Sequence, residues 1–261
     1  MAVYSRILHR GEPRYVEHLS SGLRLLAAAP WESADAEISM PPLARERLTF
    51  LPPVSPSKII AFGRNYRDHA AEMGAEVPES PLLFLKAPSC LLAGGDDVPL
   101  PPESERVECE GELALIIGRR LRRFPEDGAV DEVVGGWLVA DDVTARDLQR
   151  SEGQWARAKS FDGFCPTATS FSSTPPEAGA RLVTKLNGET CQDAALADMI
   201  FPLGRLLAHA SAAMTLEPGD LVLTGTPAGV KTLSPGDRVE VEVTGLPALE
   251  HGVVAEGDED E

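Results

Sequence analysis

Apolar residues along the chain fall in short runs bounded by Gly, Pro, Asn and Asp, not in the long three-to-four periodicity of stacked helices. Tyr4-Ser-Arg-Ile-Leu8 and Leu23-Arg-Leu-Leu26 predict strands in a small N-terminal unit. Further strands are predicted at Lys58–Phe62, Gly136–Ala140, Leu182–Leu186, Asp220–Thr224 and Asp237–Val243, with another apolar segment at Leu82–Leu85. Asn187-Gly188 marks a hairpin, and Pro-Gly-Asp turns stand at 218–220 and 235–237. Helical patterning is confined to Asp68–Met73, a segment near Asp127–Val134, and the stretch opened by Thr144-Ala-Arg-Asp147, which resembles a capping pattern. Many short strands, few helices, no internal repeat and no GxGxxG indicate a β-rich α+β fold and not a Rossmann sheet. Pro52, Pro53 and Pro56 form a stiff connector, dividing a small β-rich domain at 1–52 from a catalytic domain at 57–255. An acidic tail follows at 256–261, expected to be solvated and disordered.

Composition narrows the class. A formal charge of −17 over 261 residues, with no compensating basic cluster, argues against nucleic acid or an anionic membrane as partner. A small anion remains compatible where a cation or local Lys and Arg invert the field. Cys90, Cys109, Cys165 and Cys191 are widely spaced without a CxxC pair, so reduced thiols in a cytoplasmic protein are expected. No apolar run approaches the roughly 18 residues needed to span a bilayer. Leu23–Ala29 resembles a short signal-peptide core, but it follows Glu12, Glu17 and several arginines and is not read as one.

The segment Arg106-Val-Glu-Cys-Glu-Gly-Glu-Leu-Ala-Leu-Ile-Ile-Gly118 sets Glu108, Glu110 and Glu112 at alternate positions and then becomes wholly apolar. Side chains two apart on a strand share one face at roughly 6.6 Å spacing, so Glu110 and Glu112 look toward one point. Two carboxylates in a partly buried site repel unless one takes a proton or a cation is supplied. A hard divalent ion with oxygen ligands meets that need, and Asp142, at the end of another predicted strand, is the natural third ligand. The absence of His and Cys from the face that Glu110 and Glu112 share disfavours zinc. The competing reading is a plain solvent-facing Glu-x-Glu, and Glu108, at the polar entrance of the strand, fits that reading better than it fits a ligand.

A set of motifs decides between them. GRNYRDHAAEMG (63–74), PLLFLKAPS (81–89), ECEGELALIIGRR (108–120), DDVTARDLQ (141–149), KSFDGFCP (159–166), NGE (187–189), MIF (199–201) and MTLEPGDLVLTGTPAGV (214–230) together resemble the fumarylacetoacetate hydrolase family. The resemblance covers about Lys58 to Gly245, while the first fifty residues match only loosely. It implies a mixed β-sandwich or roll, a homodimer, and Mg²⁺ held by Glu110, Glu112 and Asp142, with Mn²⁺ or Ca²⁺ as substitutes. It also implies that the ion chelates the carboxylate and adjacent carbonyl of a small anionic 2-oxo acid.

The same resemblance places a His/Glu pair on a mobile lid at His69 and Glu72. Three residues apart, they meet on one helical turn, where Glu72 can orient the imidazole that takes a proton from water. The alternative is a surface histidine. Lys159 matches the lysine that stabilises developing enolate charge, and Gln149 and Thr226 match polar positions that contact substrate or its waters. In Thr224-Gly-Thr-Pro227 the glycine permits close backbone approach to an anion. Arg64 and Tyr66 either meet the distal end of the substrate or hold the lid strand. Asp162 and Asn187 are read as structural, and His9, His18, His209 and His251 as surface or core residues.

Three positions depart from the family pattern: Cys109 where a tyrosine commonly stands, Asp141 where asparagine is common, and Ala168-Thr169 in place of Gly-Pro. None removes a ligand, although Asp141 adds negative charge beside the metal. The resulting expectation is a Mg²⁺-dependent hydrolase cleaving a C–C bond of an acylpyruvate-like β-diketo acid, such as fumarylpyruvate. The alternatives are decarboxylation of a β-keto acid such as oxaloacetate, isomerisation of a 2-hydroxy-2,4-dienedioate, or a non-catalytic metal-stabilised binding protein.

Overall fold

Every residue of Gly111–Ile117 is buried, and the strand lies inside its sheet, between Val134–Asp141 on one side and Leu221–Leu223 on the other. The apolar run Leu113–Ile117 thus reads as the centre of a sheet, where each fully buried Leu or Ile contributes roughly 1.5–3 kcal/mol. In this computed structural model, which describes residues 1–32, 43 and 48–257, that sheet continues outward through Ile59–Gly63 to Leu82–Lys86. In the other direction it passes through Ser170–Ser172 to Val3–His9, Glu12–Leu19 and Gly22–Leu25. The N-terminal strands therefore extend the main sheet, while keeping a small core of their own around Ile7, Val16, Leu23 and Leu25.

A second sheet orders Glu189–Ala195, Arg181–Leu186, Arg238–Val243, Leu249–Ala255 and Asp97–Leu100. Asn187 and Gly188 turn its first hairpin with φ of 53° and 81°, the left-handed pair that a two-residue turn requires. Asn187 also donates to Asp237 and accepts from the Arg238 amide, a structural role. Gly111 sits where the two sheets pack face to face: a Cβ there would lie 2.1 Å from Thr184 Oγ1. A short third sheet joins Thr144–Ala145, Val107–Cys109 and Lys231–Thr232. The β-rich α+β fold expected from the patterning is the fold observed.

Helices are few among the described residues: α1 (Arg67–Glu72), α2 (Arg146–Ser151) and α3 (Leu203–Ala213). None is long and apolar enough to cross a membrane. The helix expected near Asp127–Val134 is reduced to the 3₁₀ turn Val130–Glu132, and Val134 already belongs to a strand. Gly135 and Gly136 explain this, since their backbone packs against Gly118 and Phe171 in an extended conformation. Nor does Thr144 cap α2. It lies in the short sheet with its hydroxyl on the Asp142 carbonyl, and the helix begins after Ala145 without a side-chain cap. Of the acidic tail only Glu256 and Gly257 fall within the described residues.

Candidate active site

Glu110 occupies the break between Val107–Cys109 and Gly111–Ile117, and its backbone is clamped twice. Its amide donates to Asp141 Oδ1 at 2.6 Å, and its carbonyl accepts from the Asp142 amide at 2.9 Å. The strand pair that aligns Gly111 with Asp141 therefore also brings Asp142 beside Glu110. One ligand atom from each of Glu110, Glu112 and Asp142 lies within 4.8 Å of the others, and all three residues are buried. Glu112 Oε2 accepts from the Gly225 amide at 2.6 Å. Gly225 has φ of +102°, and a Cβ there would stand 2.6 Å from Asn65 Cβ, so only glycine brings this amide to the carboxylate.

The electrostatics push the two glutamates apart. Burial opposes charge on Glu110, yet Lys159 and Arg146 outweigh it and hold its carboxyl well below the usual carboxylate range. For Glu112 burial and the Asp142 charge act together and raise it well above that range. Such a trio fits a cation: the donors are all oxygen, as Mg²⁺ or Mn²⁺ prefers, and one member is pushed toward its neutral form for want of positive charge. Lys159 lies against the same group, 2.7 Å from Glu110 Oε2 and 2.5 Å from Asp142 Oδ2.

These side chains form the floor of a cavity of about 240 Å³, which Arg64, His69, Gln149 and Thr226 also line. His69 Nδ1 stands 3.2 Å from Glu72 Oε2. A helix of six residues is too short to hold itself, and α1 is tied down at both ends. Before it, the Asn65 side chain donates to Phe201 O and Thr224 O and accepts from the Phe201 amide. At its end, Glu72 accepts from the Gly229 amide at 3.0 Å. Thr226 donates to Gly111 O and accepts from Gln192. Tyr66 is buried but lines a neighbouring cavity with Asp68 and Asp198, and its hydroxyl has no partner. Tyr66, read from the sequence either as a contact for the distal end of the substrate or as a support of the lid strand, does not line the cavity of the carboxylate trio.

Several contributors escaped the sequence reading. Glu108 is not solvent-facing: it is buried and accepts from Arg146 Nε and Arg106 Nε, both at 2.6 Å. Arg146 in turn bridges to Glu110 and to Gln149. Its spacing of three from Gln149 on α2 was the available signal. Lys86, ending an otherwise apolar strand, is fully buried and donates to Asp142 Oδ1 at 2.6 Å and to Phe164 O at 2.8 Å. His251, given no role by its sequence context, bonds Asp141 Oδ2 at 2.9 Å with neither side chain exposed. The four cysteines are free thiols.

A β-rich scaffold that joins an all-carboxylate trio, a carboxylate-backed imidazole and buried Lys and Arg in one cavity is that of a metal-dependent enzyme. Residues 58–254 match the fumarylacetoacetate (FAA) hydrolase C-terminal family. The chain belongs to the fumarylacetoacetate hydrolase family.

Its relatives differ in reaction. It is 38% identical over 227 residues to the mitochondrial oxaloacetate tautomerase of Xenopus laevis, covering 81% of this chain and 70% of that one. The crystal structure of 2-hydroxyhepta-2,4-diene-1,7-dioate isomerase from Mycobacterium marinum superposes with a TM-score of 0.88 at 31% identity, covering 98% of this chain and 100% of the other. Fumarylpyruvate hydrolase from Pseudomonas aeruginosa, solved with Mn²⁺ and pyruvate, gives 0.73 at 30% identity, covering 80% and 92%.

Proposed function

We propose that the chain is a Mg²⁺- or Mn²⁺-dependent enzyme that moves a proton at the carbon beside the keto group of a small 2-oxo acid, interconverting its enol and keto forms. The observation that carries the reading is His69, whose Nδ1 faces Glu72 while the ring lines the same cavity as the carboxylate trio. Glu110, Glu112 and Asp142 would hold the ion, which when bound supplies Lewis-acid polarisation of the substrate's oxygens. Glu72 holds the proton on Nδ1 and leaves Nε2 free to accept one from the substrate carbon. Lys159 and Arg146 stand beside the carboxylates to balance enolate charge as it forms. Gln149 and Thr226 are offered as polar contacts for the bound acid. The Xenopus relative, an oxaloacetate tautomerase, supports tautomerisation, which asks for a base at the carbon and a stabilised enolate whose oxygen exchanges its proton with water.

At the rim, Arg150 follows Gln149 on the cavity-facing side of α2, one turn beyond Arg146. Arg64, with φ of +57°, stacks over Trp155 at 6.0 Å. A helical turn advances about 5.4 Å, a span suited to a distal carboxylate. A dianionic 2-oxo acid is accordingly the favoured substrate class, with oxaloacetate as the first test.

C–C hydrolysis of an acylpyruvate is the second reading. It is favoured by the Glu72-backed imidazole, which is equally suited to activating water, and by the fumarylpyruvate hydrolase structure. Purified protein with Mn²⁺ should speed the loss of oxaloacetate enol absorbance without CO₂ release, and His69→Ala should abolish that acceleration. Cleavage of acylpyruvates with no effect on oxaloacetate would establish hydrolysis instead, CO₂ evolution would establish decarboxylation, and inertness on both would remove the catalytic reading. The homodimer implied by the resemblance is read by light scattering.

A further inference from the structure

Asp141 does not line the cavity, yet it carries the anchor of the first acidic side chain there. Glu110 lies outside both flanking strands, so its amide has no ladder partner, and Asp141 Oδ1 supplies the acceptor at 2.6 Å. The cost of this arrangement is a second carboxylate next to Asp142 with no exposure to solvent. Buried charge of that kind persists only when paired. The partner comes from the other sheet: His251, on Leu249–Ala255, places Nε2 2.9 Å from Asp141 Oδ2 and Nδ1 3.0 Å from Gly252 O. A carbonyl can only accept, so Nδ1 donates to Gly252 O, and Nε2 is left facing the Asp141 carboxyl, with one proton joining the two.

We propose that His251 is a positioning residue for the cation site. Through Asp141 it holds the Glu110 backbone, and with it the first carboxylate, in register with Glu112 and Asp142. The inference rests on reading those three as the cation ligands. It gives the Asp141 departure a physical role, because a buried acid at that position needs a hydrogen-bond partner from the facing sheet, and His251 is that partner.

The test titrates folded protein with Mn²⁺ by calorimetry, with urea midpoints recorded alongside. His251→Gln keeps a donor toward Asp141 but removes the ring that ties it to Gly252 O, and it should weaken Mn²⁺ binding about tenfold or more, the scale of losses when the groups that orient metal ligands are removed. Asp141→Asn should cost much less, since its oxygen still accepts from Glu110 and its amide can donate to a neutral His251. The double variant Asp141→Asn/His251→Gln pairs two amides and should recover most of the Mn²⁺ affinity that His251→Gln loses.

A merely structural histidine would lower the urea midpoint in His251→Gln and leave Mn²⁺ affinity unchanged, which would overturn the proposal. So would a double variant no better than His251→Gln. If His251→Gln does not fold, the double variant against Asp141→Asn decides: matching affinities uphold the pair, and a further tenfold loss refutes it. Wild-type protein that ignores Mn²⁺ altogether would instead remove the cation site itself.

Discussion

Replacing Lys86 with methionine tests whether the site's architecture rests on buried charge. Methionine is unbranched and only one heavy atom shorter, so the effect reports chiefly the ammonium and little lost volume. In the structure Nζ reaches Asp142 Oδ1 at 2.6 Å, Phe164 O at 2.8 Å and Val143 O at 3.4 Å, with the side chain fully buried. Removing one member of such a pair costs about 3–5 kcal/mol, because the other charge stays buried without compensation. Lys159 still contacts Asp142 Oδ2 at 2.5 Å, which places the expected loss at the lower end. For a chain of this size each kcal/mol lowers Tm by about 2–4 °C, giving a fall of roughly 6–12 °C.

Burial works against the charge on Lys86, but Asp142 outweighs it and raises the group above the ordinary lysine range. A raised folded-state pKa gives stability that is present below the unfolded value and is lost only as pH climbs through the folded one. Measurement near neutral pH therefore reads the whole contribution. Urea unfolding followed by circular dichroism, with and without Mn²⁺, is the assay, and saturating Mn²⁺ should narrow the deficit by supplying charge at Asp142. A loss below about 1 kcal/mol, the worth of an exposed pair, would refute the reasoning.

Other outcomes follow from the same geometry. Glu112 is raised well above the carboxylate range by burial and by Asp142, so the metal-free protein should lose stability as pH rises through that raised value, and the Tm gain on adding Mn²⁺ should grow with pH; a gain constant from mildly acid to mildly alkaline pH would contradict it. Glu112→Gln removes the repulsion, so the metal-free Tm should hold or rise while the Mn²⁺-induced shift vanishes in a thermal scan. Glu110→Gln should abolish turnover of every substrate. His69→Ala should cut kcat about 10²–10⁴-fold with little change in KM, the range of a lost general base. Arg150→Gln should lower kcat/KM for a dianionic substrate relative to a monoanionic acylpyruvate by about tenfold, as for a charge-assisted hydrogen bond of 1.5–3 kcal/mol; an unchanged ratio would show that the rim does not read the distal charge.

Much of the site was legible because strand periodicity is local. Two residues apart means one face, and that put Glu110 and Glu112 together before any fold was known. Asp142 followed from the end of a second strand, and His69 with Glu72 from one turn of helix. Glu108 obeys the same periodicity yet was misread, since spacing says which face a side chain shares but not what covers it. Arg146 covers it, from a helix 38 residues away in sequence. The helix expected near Asp127–Val134 failed for a related reason: a polar stretch with helical spacing was overruled by two glycines packed into the sheet.

By itself the sequence determined the β-rich class, the hairpin at Asn187-Gly188, the carboxylates that converge and the family motifs, all of which depend on neighbours within a few residues. Tertiary structure alone decided the counter-charges. Lys86, Arg146 and His251 reach Asp142, Glu108 and Asp141 across 56, 38 and 110 residues. Whether a lysine or histidine ends in solvent or beside a buried acid depends on which sheet faces it, and the energy of a buried charge depends on that neighbour more than on the residue itself.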